Sequence, residues 1–186
     1  SIPVAPYRCP PGPYERACLV AHYFKEAKPR SKVLILDGNP DVVSKKGLFL
    51  EAWNALYPDI VEYRPNHAVV DFDTRTNTAY TEFESIRADL FNIIPPQKAG
   101  TIADPLITTN NRWCEVEFQG FESTRIPGIH VLGDAILAAP GMPKSGFMAN
   151  NHAKVAADAV ISHFRGLDRN EATTIANTCY SFVSPD

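Results

Sequence analysis

Arg8-Cys9-Pro10-Pro11-Gly12-Pro13-Tyr14-Glu15-Arg16-Ala17 sets a thiol immediately before a rigid turn that opens a helix. Pro10, Pro11 and Pro13 hold φ near about −65° and supply no backbone N–H, while Gly12 permits a close turn between them. Pro13 suits the first position of a helix. From there Ala17, Leu19, Val20, Tyr23 and Phe24 recur at roughly helical spacing, which predicts a helix over residues 13–27. Cys9 then stands just outside a helix N-terminus, where the positive end of the dipole favours a thiolate. The alternative for Cys9 is a small buried hydrophobe. Glu15, one turn into the helix, is placed either for proton exchange with chemistry at Cys9 or simply as a carboxylate favoured by the dipole.

Working outward, Lys28-Pro29-Arg30-Ser31 stops the helix, and Lys32 to Asp37 is a short apolar run of the kind buried in a parallel sheet. Residues 1–7 read as the tail of a strand, so strand, loop, helix and strand make a βαβ unit. Asp37 ends the second strand where a dinucleotide-binding domain often keeps an acid for the ribose. However, the glycine-rich phosphate loop is missing, and Cys-Pro-Pro-Gly-Pro stands in its place with few N–H donors. Asp37 is therefore read as a turn or capping acid, and the chain is expected to bind neither NAD nor NADP.

Residues 47–57 predict a second helix. Residues 60–63, 67–72 and 79–83 read as strands of a meander with a hairpin turn over 73–77, and 88–94 as a further buried strand. Pro95-Pro96-Gln97-Lys98-Ala99-Gly100 looks like a crossing between domains. Residues 113–118 alternate as an edge strand would. Gly128-Ile129-His130-Val131-Leu132-Gly133-Asp134-Ala135 reads as a strand running into Gly-Asp, an ending that frees backbone for close ligand approach and offers one carboxylate. A loop over residues 140–146 leads into an Ala-rich helix over 149–164, and residues 173–183 read as a strand-like tail. His22, His67, His130, His152 and His163 are scattered and read as core or surface residues.

The 186 residues and 45% hydrophobic content suffice for a sizeable core, and a net charge of −3 gives no basic footprint for nucleic acid or an anionic membrane. No run approaches the length of a membrane helix. Cys9, Cys18, Cys114 and Cys179 are widely and irregularly spaced, which argues against a metal site and is compatible with one long-range disulfide in an oxidising compartment.

Pro6 to Ala17, Asn92 to Gly100, Gly128 to Ala135, Met142-Pro143-Lys144-Ser145-Gly146 and Asn177-Thr178-Cys179-Tyr180-Ser181 occur in that order. Together they resemble the flavoprotein subunit of flavocytochrome c sulfide dehydrogenase, a relative of the sulfide:quinone reductases and other two-domain FAD oxidoreductases. The resemblance implies an α/β fold: a Rossmann-like NAD-type domain with a β-meander over residues 1–95, the second half of an FAD-binding domain over 96–172, and the start of a C-terminal interface domain over 173–186, truncated at both ends. It implies that Cys9 and Cys179 form a redox-active disulfide beside the flavin and that Glu15 is the acid/base. Gly133 and Asp134 would contact the FAD ribityl and phosphate region, while Pro143, Lys144, Ser145 and Gly146 would lie by the pyrimidine end of the isoalloxazine. A helix beginning near Gly146 would stabilise charge on a reduced flavin. Sulfide is the implied substrate, a c-type cytochrome subunit the implied partner and the periplasm the implied location. The part of the family that carries the phosphate loop and tethers FAD covalently is not among these residues, so the chain alone is not expected to retain flavin. The other function classes are a sulfide:quinone reductase, which needs a membrane-facing apolar surface, and a non-catalytic module that binds a cytochrome.

Overall fold

Val33-Leu34-Ile35-Leu36 forms β1 and pairs in parallel with β2 (Val61–Arg64), with Val33 opposite Val61 and Leu36 opposite Arg64. On the other edge of β1, Ile2 makes a parallel bridge to Asp37: its N–H donates to Leu36 O at 2.8 Å and its carbonyl accepts from Gly38 N–H at 2.9 Å. Helix α1 (Gly12–Ala27) runs between Ile2 and β1, and helix α2 (Lys46–Leu56) between β1 and β2. Parallel neighbours require such crossovers, and helices are the usual form. The structure, a computed structural model, describes residues 1–108, 110–168 and 173–185.

Two compact units divide the chain, one of Ser1–Pro96 together with the residues from Tyr180 onward, the other of Gln97–Cys179. Of the segment read as the start of a further domain, the described residues from 173 to Cys179 thus belong to the second unit and those from Tyr180 to the first. The first unit has its core between the helices and the parallel pair: Tyr14, Ala17, Cys18 and Ala21 of α1 meet Phe49 and Trp53 of α2, with Ile35 beneath. The buried face of α1 carries small residues beside Tyr14, and its large apolar residues lie outside it. Leu19 and Tyr23 are 42% and 55% exposed, whereas Ala21 and Cys18 are fully buried. Small side chains on the inner face allow α1 to approach α2 closely, and the aromatic rings of Tyr14, Phe49 and Trp53 fill the remaining space with centroids 5.5–6.2 Å apart.

A three-stranded antiparallel meander completes this unit: β3 (Asp71–Asp73), β4 (Thr78–Tyr80) and β5 (Ser85–Arg87). Residues 60–63, expected as its first strand, instead supply β2 and pair in parallel with β1, the strands expected over 67–72 and 79–83 are reduced to β3 and β4, and β5 takes the third place. Residues 88–94 do not form the expected buried strand; Leu90 is 85% exposed. The Asn77 side chain donates to the Ala88 carbonyl, so the backbone group that would continue the ladder is taken at the hairpin end.

In the second unit the short hairpin β6 (Val116–Glu117) and β7 (Glu122–Ser123) packs with helix α3 (Gly146–Arg165) around Trp113, Cys114, Phe121, Ile136 and Val155. Residues 128–135 are not the expected continuous strand. His130 bridges Glu122, Val131 N–H donates to Phe121 O at 2.8 Å, and Gly133–Ala135 close into a 3₁₀ turn. Helix α3 begins at Gly146 rather than 149 because the Ser145 hydroxyl accepts the Met148 N–H at 3.1 Å. It ends at Gly166, whose φ of +66° suits glycine. The described residues of 173–183 form no strand. Side chains hold them instead: Asn151 Nδ2 donates to Ala176 O at 2.6 Å, and Tyr57 Oη to Val183 O at 2.6 Å.

The phase of α1 can be tested by substitution. Ala21→Leu should overpack the core and cost about 1–3 kcal/mol in urea unfolding. Leu19→Ala should change stability by about 0.5 kcal/mol or less. The reverse order would show that the helix is rotated from the described orientation.

Candidate functional site

In the first unit the site is built on the turn at Cys9. Cys9 adopts φ +51°, in the left-handed region, and its carbonyl accepts the Gly12 N–H at 2.9 Å. Gly12 is needed there: a Cβ on it would stand 2.9 Å from Cys9 Sγ. The sulfur therefore lies against the first turn of α1, whose N-cap, Pro11, offers no side-chain acceptor to neutralise the helix end. Cys9 is exposed, so it does not serve as a core-filling residue. Glu15 lies in the first turn of the same helix, half-buried.

Behind the turn is a buried carboxylate. Asp37 is 0% exposed; its Oδ1 accepts from the Asn39 backbone N–H at 2.9 Å and from Asn39 Nδ2 at 2.7 Å, and its Oδ2 accepts from Tyr14 Oη at 2.7 Å and Tyr63 Oη at 3.0 Å. This is the turn acid expected from the sequence, and all four donors come from the protein. Burial pushes the Tyr14 and Tyr63 hydroxyls well above the ordinary tyrosine range, so both remain donors. Tyr7, 2% exposed, shares its hydroxyl between Pro10 O at 3.3 Å and Tyr14 Oη at 3.5 Å, and burial pushes it up to about 12.

The second unit brings Gly133, Asp134, Lys144, Ser145 and Gly146 together around the start of α3. Gly133 has φ +70°, and a Cβ on it would approach Ala149 Cβ to 3.3 Å. Its N–H donates to His152 Nδ1 at 3.1 Å. Lys144, 4% exposed, turns its amine into the core rather than toward solvent: Nζ donates to Asp134 O at 2.9 Å and to Ile136 O, and sits 3.9 Å from the Trp113 ring centroid. Burial pushes its amine down to about 8. Pro143, just before it, is half-buried. Gly146 is exposed at the start of the 20-residue helix, where the dipole favours negative charge. Ser145 Oγ, besides capping, donates to Asn177 Oδ1 at 2.5 Å, and Cys179 lies exposed two residues further on.

Two buried polar atoms here have no hydrogen-bond partner among the described residues: Asp134 Oδ1 and His152 Nε2. The His152 ring is stacked on Phe121 at 4.2 Å, and burial, then the Lys144 charge, lowers its pKa, so the imidazole is neutral with its proton on Nε2. An orphan carboxylate oxygen beside a glycine turn fits a ligand that offers hydroxyl donors, and the open helix start fits one that carries negative charge; a flavin's ribityl chain and reduced ring supply both. The sequence placed His152 only among core or surface histidines and Trp113 on an edge strand, and assigned Tyr7 no role in a site. For His152 the signal was present, since it falls on the apolar stripe Met148, Val155, Ala156 and Ala159 of α3.

The family model described as "sulfide dehydrogenase (flavocytochrome c) flavoprotein chain, central" matches residues 1–95.

Lys144 provides a test of the second arrangement. Because its folded-state pKa lies below the unfolded value, the unfolded chain holds the proton longer and stability rises with pH between about 8 and about 10.5. Lys144→Met should remove that rise, measured as the wild-type-minus-variant difference in urea midpoint at pH 7.5 and pH 10. A constant difference would show that the amine is not buried as described.

Proposed function

The chain belongs to the flavocytochrome c sulfide dehydrogenase flavoprotein family, and from that membership we propose that it forms part of an FAD-dependent oxidoreductase that takes electrons from sulfide and delivers them to a c-type cytochrome. The observation that supports this best is the Cys9 turn: an exposed thiol with its sulfur against the first turn of a 16-residue helix, and a carboxylate, Glu15, in that turn. Because the matched family portion is described as central, this reading sets the chain within a longer flavoprotein. The first unit is then its Rossmann-like NAD-type domain, in keeping with the parallel order Ile2, β1, β2 and the helical crossovers.

In this reading Cys9 and Cys179 form the redox-active disulfide. Hydrosulfide attacks one of its sulfurs; the S–S bond breaks as the new one forms, leaving a persulfide on one cysteine and a thiolate on the other, with the electron pair contributed by sulfide now on the thiolate. Glu15 exchanges the proton. FAD, when bound, would supply the two-electron acceptor. Asp134 Oδ1 would accept from a ribityl hydroxyl, the Gly133 turn would let the backbone approach, and the N–H groups at the start of α3 would favour negative charge on the bound ring. Lys144 serves this site by holding the carbonyls of Asp134 and Ile136, thereby fixing the turn. An oxidising compartment such as the periplasm suits a persistent S–S bond.

The test uses the flavoprotein that contains this chain. Cys9→Ser and Cys179→Ser should each abolish sulfide-dependent bleaching of the flavin while its absorbance in the resting protein remains. Wild-type bleaching in either variant, or a purified flavoprotein without flavin absorbance, would contradict the reading.

A further inference from the structure

The acid at the end of β1 holds the cysteine turn from both sides. The segment that enters the turn is fixed by Asn39, whose Oδ1 accepts the Ala5 N–H at 2.9 Å and whose Nδ2 donates to Pro3 O at 3.0 Å. Asn39 is itself only 3% exposed and is oriented by Asp37, which takes both its backbone N–H and one hydrogen of its amide. The segment that leaves the turn is fixed by Tyr14, in the first turn of α1, whose ring lies against Phe49 and Trp53 and whose hydroxyl donates to Asp37 at 2.7 Å. That hydroxyl also accepts the Val43 N–H at 3.2 Å, which leaves its single hydrogen for the carboxylate. Both segments that flank Cys9 therefore end on one buried carboxylate.

We propose that Asp37, acting through Asn39 and Tyr14, is the positioning residue that keeps Cys9 in its left-handed conformation with Sγ against the N-terminus of α1. An acid that would hold a ribose in a nucleotide domain is here satisfied entirely from within, and its work is transferred to a thiol. Without these anchors the polyproline loop can pivot about Gly12, and the sulfur loses the favourable field of the helix end. A helix terminus contributes about 0.3–1 kcal/mol to a nearby charge, so thiolate reactivity at neutral pH should fall about two- to fivefold.

This inference deepens the redox reading of Cys9, and its test is separable from that reading. In the Cys179→Ser protein, the rate of Cys9 carbamidomethylation by iodoacetamide is followed by peptide mass spectrometry from pH 6 to pH 9. Tyr14→Phe keeps the ring and removes only the hydroxyl; Asn39→Ala removes the other anchor. Both should slow alkylation about two- to fivefold at pH 7 and move the midpoint of the pH profile upward. The other titratable groups of the turn and the helix start, Tyr7, Arg8, Glu15 and Arg16, are unchanged in each variant. Tyr57→Phe, which removes a buried hydroxyl of the same core that bonds Val183 O instead of Asp37, is the control and should leave the profile in place. A profile that stays fixed in Tyr14→Phe and Asn39→Ala, or moves equally in Tyr57→Phe, overturns the proposal. If the profiles shift as described while Cys9→Ser still supports sulfide-dependent flavin reduction, it is the redox reading that fails.

Discussion

A single carboxylate, buried at the end of β1, is the constraint on which the first unit depends. Leaving an ionised group in the interior without partners is prohibitive, so Asp37 dictates where four donors must stand. Hydrogen bonds to a charged group contribute about 1.5–3 kcal/mol each, and here they are drawn from α1 through Tyr14, from β2 through Tyr63, and from the loop at Asn39. Helix, strand and entering segment are thereby tied to one point. The same bonds account for the chemistry of the turn: Cys9 is exposed, yet the chain on both sides of it leads to buried anchors.

The second unit solves a similar problem with a cation. Lys144 is buried, but its hydrogens meet two carbonyls and its charge meets the face of Trp113. It therefore closes the Gly133–Ala135 turn onto α3, with His152 accepting the Gly133 N–H from the other side. Fixing the turn from two directions orients the Asp134 carboxylate at no further cost in conformational entropy. Asp134 Oδ1 and His152 Nε2 remain unpaired among the described residues, and the proposed function assigns the first of them to a ligand hydroxyl.

The parallel strand, both helices of the first unit and the cysteine turn were legible in the sequence because each rests on local chemistry: proline and glycine around Cys9, a branched apolar run at Val33 to Leu36, and Ser145 ahead of the long helix. The phase of α1 was not. Of Ala17, Leu19, Val20, Tyr23 and Phe24, which recur at helical spacing, only Ala17 is buried; packing selected the side it shares with Tyr14, Cys18 and Ala21, where small residues permit close approach. Short strands were also over-read, since Ile93 and Ile94 give the composition of a strand while the capture of Ala88 by Asn77 ends the ladder before them. The turn role of Asp37 was legible, but its tyrosine partners were not, because they lie 23 and 26 residues away and nothing in the spacing brings them together.

The sulfur redox chemistry proposed for Cys9 and Cys179 draws on family membership, on an exposed thiol at a helix start and on a carboxylate, Glu15, in the first turn of that helix. The most direct measurement is a disulfide map of the oxidised flavoprotein that contains this chain, alkylated without reduction before and after one equivalent of sulfide. The account predicts a peptide pair joined through Cys9 and Cys179 that disappears on addition of sulfide, with one extra sulfur appearing on a single cysteine. Both cysteines already alkylated in the oxidised protein, or a linked pair that sulfide leaves untouched, would contradict it.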